Sequence, residues 1–455
     1  MSLSQLQASF NQSLRWNAAL YFLYKILFTS VSFLLFNRLA TPDFSVWANV
    51  NSFIFLLLLW LDFGLRKSIP RYCPEFKQCG SLHVFLSYVL SAQLLILVAA
   101  IPIFLFIVRA FFSSLSLSCS IWLLYCAAFI FLVEGINSSI RLFYHAHFWN
   151  KTYALIQGTG LIVEMSINVF CIFILTSSTT LLFALLFNKL VASMGVASVS
   201  FIMLKNIHKQ TGKNGYNKKI MQKKLGLFVR HSAIMWVSTL IKSLTERNFL
   251  VPFLSHTVGL QQANLFKISN DWAMLVHRPI IKTIGVSDTT LLSQSESDQK
   301  QPSLPILHIT LLKKITLISL PSLAALLVVP YFMPNSTMLA LFLIITGGHM
   351  IETLLSPYER VLEVKHNYKT LLLSYTPYLV MLCTSWYFPL LNQKSLVPIL
   401  SFIHASRITC SIIIAFSYHK QSSGSIAVKP AQKQDFISSK IPLKKSTSLP
   451  QEKLP

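Results

Sequence analysis

Charge is scarce in this chain, and negative charge scarcest. Of 455 residues only 15 are Asp or Glu, and charged residues of both signs make up 12%, about half the share in a soluble domain. That shortage excludes an ordinary water-facing enzyme. Glycine (14) and proline (19) are also few, which rules out collagen-like and low-complexity architecture. The seven cysteines are scattered and form no CxxC pair of the kind used for zinc or redox chemistry. Most lie inside apolar runs, where a free Cys packs as a small hydrophobe. His145 and His147 have no third ligand near them in sequence, so no metal site is expected. GxSxG, HExxH, GxxxxGK[ST] and paired-Asp motifs are all missing. The sequence therefore predicts no enzyme, no cofactor and no self-powered ATPase.

Apolar residues are abundant instead, at 53% of the chain, with a mean hydropathy of +0.57. Crossing a bilayer takes about 20 mostly apolar residues. Twelve stretches qualify: 16 to 36, 44 to 63, 82 to 108, 117 to 140, 153 to 176, 179 to 204, 226 to 246, 250 to 280, 308 to 330, 336 to 356, 370 to 390 and 396 to 417. The predicted fold is an all-α polytopic membrane protein of about 12 transmembrane helices. The first apolar run is too long for a signal-peptide core and lacks a small-residue cleavage site, so it is expected to stay as a helix. The seventh and eighth stretches, from Trp236 to Asp271, carry too many polar residues to face lipid all round and should turn a wet face to protein or a cavity. Trp16, Trp47, Trp60 and Trp122 fall near predicted helix ends and read as interface anchors.

The formal charge of +24 looks at first like that of a nucleic-acid-binding protein. Its distribution says otherwise. With the amino terminus on the cytoplasmic side, 29 of the 39 Lys and Arg fall on that side and only Arg38, Arg109, Lys242, Arg247 and Lys394 on the other. This is the positive-inside pattern. It predicts both termini in the cytoplasm and explains the charge without nucleic acid.

The basic segment 205–225 falls between the sixth and seventh helices. It divides residues 1–204 from residues 226–417, giving two lobes of six helices that enter from the same side. Residues 418–455 form a basic tail rich in Ser, Pro and Gln, expected to be disordered in the cytoplasm. The loops on the opposite side are too short to hold a folded domain.

Ionisable groups at mid-membrane depth are costly and mark function by default. Four cations reach that depth: Lys25, Lys189, Lys267 and Arg407. Glu164 is the carboxylate expected beside them, with Glu134, Asp271 and Glu352 nearer the cytoplasmic face. A surplus of cations in a cavity would attract an anion such as phosphate or pyrophosphate. Each cation also admits a structural reading, as a snorkelling Lys or an interhelical tie such as Lys25 to Glu164. Asp62, at a helix end, reads as a cap or brace of the loop that follows.

The amino-terminal quarter contains Asn37-Arg38-Leu39-Ala40-Thr41-Pro42-Asp43-Phe44-Ser45, then Leu61-Asp62-Phe63-Gly64-Leu65 at the end of the next apolar run, then Ile69-Pro70-Arg71-Tyr72. These strings resemble the opening of the Wzx-type oligosaccharide flippases of the polysaccharide transporter family, in the multidrug/oligosaccharidyl-lipid/polysaccharide (MOP) superfamily. Ser45 departs from the Gly usual there. The resemblance implies two six-helix lobes that rock around a cationic cavity in the bacterial cytoplasmic membrane. It also implies a polyprenyl-pyrophosphate-linked oligosaccharide as cargo for surface polysaccharide assembly, beside other assembly proteins. On that reading Lys25, Lys189, Lys267 and Arg407 would hold the pyrophosphate and sugars. Glu134 or Glu164 would bind a coupling proton or sodium ion, and Asp62, Gly64 and Arg71 would carry the structural motif. Two other readings stay open: a cation-coupled multidrug exporter of the same superfamily, and a membrane-embedded glycosyl- or acyltransferase.

Overall fold

The computed structural model describes residues 3–78, 80–117, 119–147, 149–211, 218–275, 309, 312–313, 336–364, 368–390 and 396–425. Among these residues the regular structure is entirely helical. The helices are α1 (Leu3–Arg38), α2 (Thr41–Trp60), α3 (Leu65–Gln78), α4 (Leu82–Ser114), α5 (Ile121–Ala146), α6 (Asn150–Ile174), α7 (Ser178–Thr211), α8 (Lys218–Ser243) and α9 (Arg247–Thr257). Then follow α10 (260 to 275 within the described residues), α11 (Ser336–Val364), α12 (Tyr368–Leu390) and α13 (Leu396–Ser425). Eight of them, α1, α2, α4 to α7, α11 and α13, contain segments long and apolar enough to cross a membrane. The predicted ninth crossing, 308 to 330, lies almost wholly outside the described residues, as does most of the tail.

The turn at Leu39–Ala40 marks one end of the bundle, called here the upper end. The α3–α4 turn near Gly80–Ser81 marks the lower end; the turn at Leu61–Gly64 lies partway down, where Gln93 of α4 donates to the Leu61 carbonyl at 3.3 Å, and α3 continues below it to Phe76, stacked on Phe85 at 4.0 Å. α1 packs on α6, α5 on α4 and α7, and α6 on α7. α11 and α12 both pack on α13. Between these groups, α2 meets α8 and α9, and α3 meets α8. α2 is therefore the central helix: 83% of its most apolar window is buried, against 22% for α4, which turns most of its surface outward. The buried polar side chains of α2, Ser45, Asn49 and Asn51, are met by hydrogen-bond partners on other helices.

Three sequence expectations change. The segment between the second and third crossings is not a plain loop but α3, whose Leu65, Ile69, Tyr72, Cys73 and Phe76 recur at helical spacing and of which the last four are buried. Pro70 and Pro74 sit inside it. The segment 205–225 is largely helical as well, because α7 continues to Thr211 and α8 starts at Lys218. Trp47 is no interface anchor: it is 6% exposed, stacked near Phe28 at 6.1 Å between ring centroids.

The largest correction concerns the seventh and eighth crossings. The sequence places their boundary at the charged run around Arg247. In the structure α8 and α9 run one after the other, antiparallel to α2. Trp60 donates from Nε1 to Ser243 Oγ at 2.7 Å at the lower end of α2, and Asn49 donates to Ser255 Oγ at 3.2 Å farther up. The chain reverses only at Val258–Gly259, where Gly259 has φ +111, a conformation that glycine adopts at no steric cost. Beyond it α10 descends, with Asn264 beside Ser45 at 3.1 Å. Lys242 and Arg247 thus flank a break between two helices stacked along α2, in place of the loop between two expected crossings. They look like loop residues in sequence because the partners that accommodate them, Glu359 and Asp271, come from elsewhere in the chain.

Candidate functional site: a charged central cavity

The polar residues that look scattered along the chain converge on one cavity of about 490 Å³. Its wall runs from Arg66, Lys67 and Arg141 at the lower end to Val31, Leu35 and Trp47 above. α5 shows how local structure builds it. Glu134, Asn137, Ser138, Arg141 and His145 all line the cavity, and their spacing of three or four residues is that of one helix face. α11 presents His349, Glu352, Thr353, Ser356, Glu359 and Arg360 in the same manner.

On the wall formed by α5, α6 and α7, Ser193 donates to Glu134 at 2.6 Å. Lys189 donates to Asn51 Oδ1 on α2 at 3.0 Å. Asn188 spans the backbone carbonyl of Glu164, at 2.8 Å, and Asn168 Oδ1, at 2.9 Å. Glu164 itself lines the cavity. Arg141 makes no hydrogen bond or ion pair among the described residues.

The facing wall is knit by ion pairs. Arg407 on α13 pairs with Glu352 on α11 at 2.6 Å, and Glu352 also accepts from His349 Nδ1 at 3.3 Å. His349 and His404 meet edge-on, 5.2 Å apart. Lys242 pairs with Glu359, which accepts from Tyr375 OH at 2.9 Å. From α3, Lys67 reaches Glu359 at 3.4 Å and Glu363, so this cluster ties the two sides of the bundle together beside the α2–α3 turn.

Above the cavity, behind its wall, lies a second cluster. Asp271 on α10 is fully buried and takes three cations: Lys267 at 3.0 Å, Lys25 of α1 at 3.6 Å, and Arg247. Ser32 of α1 donates to the same carboxylate at 3.1 Å. Lys267 also stands over the Trp47 ring, 4.3 Å from its centroid, a cation–π contact of a kind that gains strength out of water.

The four sequence-expected cations are therefore not one group. Lys189 and Arg407 line the cavity. Lys25 and Lys267 are 0% and 2% exposed and off its wall. Lys25 is held by Asp271, not by Glu164 as the interhelical tie would have it. Asp271, expected nearer the lower face, stands level with Lys25 and Ser32 of α1. Glu134 and Glu164 both face the cavity. The Asp62 carboxylate accepts from the Arg66 backbone N–H at 3.1 Å, at the start of α3. Arg71 pairs with Glu75 at 3.1 Å, and Glu75 with Lys224 of α8 at 3.5 Å. Sequence reasoning missed Arg141, Arg247, Glu359 and Glu363 by placing them beyond helix ends, and Lys242 by counting it with the outer-side charges. The helical spacing on α5 and α11 was the signal available.

Among the described residues, the wall together with the carboxylates and cations paired directly behind it holds ten cations and eight carboxylates.

No family model and no curated protein sequence matches the chain. Solved structures do. An outward-facing multidrug resistance MATE family transporter of the MOP superfamily aligns with TM-score 0.63 at 12% identity, over 94% of this chain and 100% of that one. An inward-facing structure of a multidrug resistance MATE family transporter of the same superfamily gives 0.56 at 14% identity, over 91% and 96%. A MOP superfamily transporter from Pyrococcus furiosus gives 0.58 at 14% identity, over 93% and 99%; its binding pocket is described as having reverse polarity, suggesting a different function. The chain therefore has the fold of these MATE family structures, and it is all-helical among the described residues.

Proposed function

We propose that this chain is an alternating-access transporter that carries a polyprenyl-pyrophosphate-linked oligosaccharide across the bacterial cytoplasmic membrane. Both termini would face the cytoplasm, and a proton or sodium gradient would drive it. The observation that carries this reading is the sign of the cavity: among the described residues, cations outnumber carboxylates by ten to eight over the wall and the layer behind it. An anionic head group suits that field, because taking a pyrophosphate through a low-dielectric region requires compensating cations. Arg141 and Lys189 supply donors on one wall. Glu134, Glu164 and the Asn51, Asn137 and Asn168 amides supply partners for sugar hydroxyls or a coupling cation. The prenyl tail stays in hydrocarbon throughout, so only the polar head needs the cavity.

Reconstitution tests it. Proteoliposomes loaded with a polyprenyl-pyrophosphate disaccharide should expose the sugar to an added glycosidase far faster with the protein than without. Arg141→Ala and Lys189→Ala should each slow exposure at least about tenfold, the scale of losing a charged hydrogen bond of roughly 1.5–3 kcal/mol. Sugar exposure at the protein-free rate overturns the proposal. A second reading, a multidrug exporter, draws on the descriptions of the structural neighbours and on Glu164. It predicts gradient-driven efflux of ethidium from the same vesicles, with Glu164→Gln abolishing it.

A further inference from the structure

The lower half of the cavity holds neutral polar groups that its charge does not explain. On α5, Asn137, Arg141 and His145 stand four residues apart and all face the space. They form a ladder on one helix face, with steps of about 6 Å. His145 is 1% exposed and Asn137 3%. The His145 Nδ1 meets Asn150 Oδ1 at the start of α6. An amide oxygen only accepts, so Nδ1 carries the imidazole proton and Nε2 is left as a lone-pair acceptor. Among the described residues Nε2 has no hydrogen-bond partner, and neither has Asn137 Oδ1, whose amide nitrogen donates to the Ser193 carbonyl at 3.4 Å. Between the two acceptors stands Arg141, within electrostatic reach of Glu134, Asp62, Tyr21, Tyr153 and His145. Tyr153 donates from its hydroxyl to Gln157 Oε1 at 3.2 Å and sets its ring 5.7 Å from that of His145. Tyr21 and Tyr153 line the cavity as well. Buried acceptors are normally paired, and two that face one cavity with a donor between them call for a ligand of the opposite pattern.

We infer that Arg141 and His145 form a recognition site for an acylamino group, the substituent of an N-acetylated sugar. The acyl oxygen accepts from the Arg141 guanidinium, and the amide N–H donates to His145 Nε2. Asn137 Oδ1, one turn farther up, accepts from a neighbouring hydroxyl. Donors and acceptors decide the choice of sugar. An acylamino group offers one of each on adjoining atoms. A hydroxyl in its place is a single atom and does not reach both side chains. A free ammonium offers donors only and meets Arg141 as a like charge. A carboxylate offers acceptors only and sets an oxygen against the Nε2 lone pair, beside a guanidinium on which Glu134 and Asp62 already act. The Tyr21 and Tyr153 rings give apolar surface to the acyl methyl. Asn150, which is off the cavity wall, is a positioning residue and acts by fixing the His145 tautomer. This inference rests on the transport reading for the carbohydrate nature of the cargo and adds which sugar is chosen.

The purified full-length chain in detergent tests it with free disaccharides, titrated by ligand-observed saturation-transfer NMR. Diacetylchitobiose and cellobiose differ in an acetamido group against a hydroxyl on each ring. Diacetylchitobiose should bind at least about tenfold more tightly, and chitobiose, with free amines, no better than cellobiose. His145→Leu removes the acceptor and should bring the first two within about twofold of each other. His145→Gln returns an acceptor near the place of Nε2 and should recover part of the preference. Asn150→Leu frees the tautomer. It should weaken diacetylchitobiose and leave cellobiose unchanged, whereas a residue that merely packed the helices together would move both. Arg141→Met removes the donor at similar length and should cut the preference to about threefold or less. Should His145→Leu fail to fold, the wild-type comparison and Arg141→Met decide the matter alone. Equal wild-type affinities, no saturable binding of diacetylchitobiose, or an undiminished preference in His145→Leu or Arg141→Met overturns the inference. Sugar exposure in the proteoliposomes separates this from the transport reading. Flipping by a protein with no acetamido preference removes only the recognition site, and an acetamido preference without flipping removes the transport reading.

Discussion

Gly64→Ala should cripple the protein. Gly64 has φ +76, and a Cβ built there would lie 2.1 Å from the Ser232 carbonyl oxygen and 2.9 Å from the Trp236 backbone nitrogen. Both are main-chain atoms of α8, so no side-chain rotation relieves the overlap. The left-handed conformation adds about 1–2 kcal/mol for any residue with a Cβ. To make room, the α2–α3 turn must move away from α8. That would pull at the Trp60 bond to Ser243 at 2.7 Å, the Trp236 bond to the Trp60 carbonyl, and the Phe63 and Trp236 rings, 5.1 Å apart. A loss on the order of 3 kcal/mol or more is expected. It would be read as a lower melting temperature and a smaller monodisperse fraction in detergent. Leu65→Ala, one residue on and partly exposed, is the control and should cost much less. A Gly64→Ala protein that melts with the wild type would mean that α3 and α8 do not meet as described.

Asp271→Ala should be comparably severe for an electrostatic reason. It removes the carboxylate with which Lys25, Lys267 and Arg247 all pair. Removing one member of a buried ion pair costs about 3–5 kcal/mol, because the charge left behind has lost both water and partner. Three such charges strain the site further. The test is a pairing of substitutions. Asp271→Ala combined with Lys267→Met removes one stranded charge and should melt higher than Asp271→Ala alone, by an amount equivalent to about 1–3 kcal/mol, whereas independent sites would add their losses. A double variant less stable than the single one would show that the three cations do not share the carboxylate.

These two residues differ in how far their roles could be read from the chain. Gly64 stands in the Leu-Asp-Phe-Gly-Leu string at a helix end, so a tight turn could be expected there. That α8 presses against it depends on an approach by residues 168 or more positions later. The long apolar helices were legible because 3.6-residue structure and bilayer thickness leave few alternatives for runs of this length. Their polar breaks were less so. The Lys242–Arg247 run carries charge at a density that ordinarily means solvent, and only Glu359 and Asp271, supplied by other helices, make it an interior feature. Lys25 likewise marks its depth in α1, but its partner is 246 residues away. Depth belongs to a helix and can be counted along it; pairing belongs to the packing of helices and cannot. The polar stripe of α5 lies between these cases, being regular in sequence but running past the last apolar residue at which a membrane span is ordinarily ended.

The break between α8 and α9 also bears on biogenesis. Neither half carries an apolar window long enough to span, and the charges at their junction oppose partitioning into lipid as the chain emerges, at about 2.5–3.5 kcal/mol for each Lys or Arg near the helix centre. This crossing should therefore enter the membrane only once α2 is already there to cover it. Translation of the first seven helices would then supply the template on which the eighth and ninth are inserted, and a chain lacking α2 should leave residues 218–257 on the ribosome's side of the membrane.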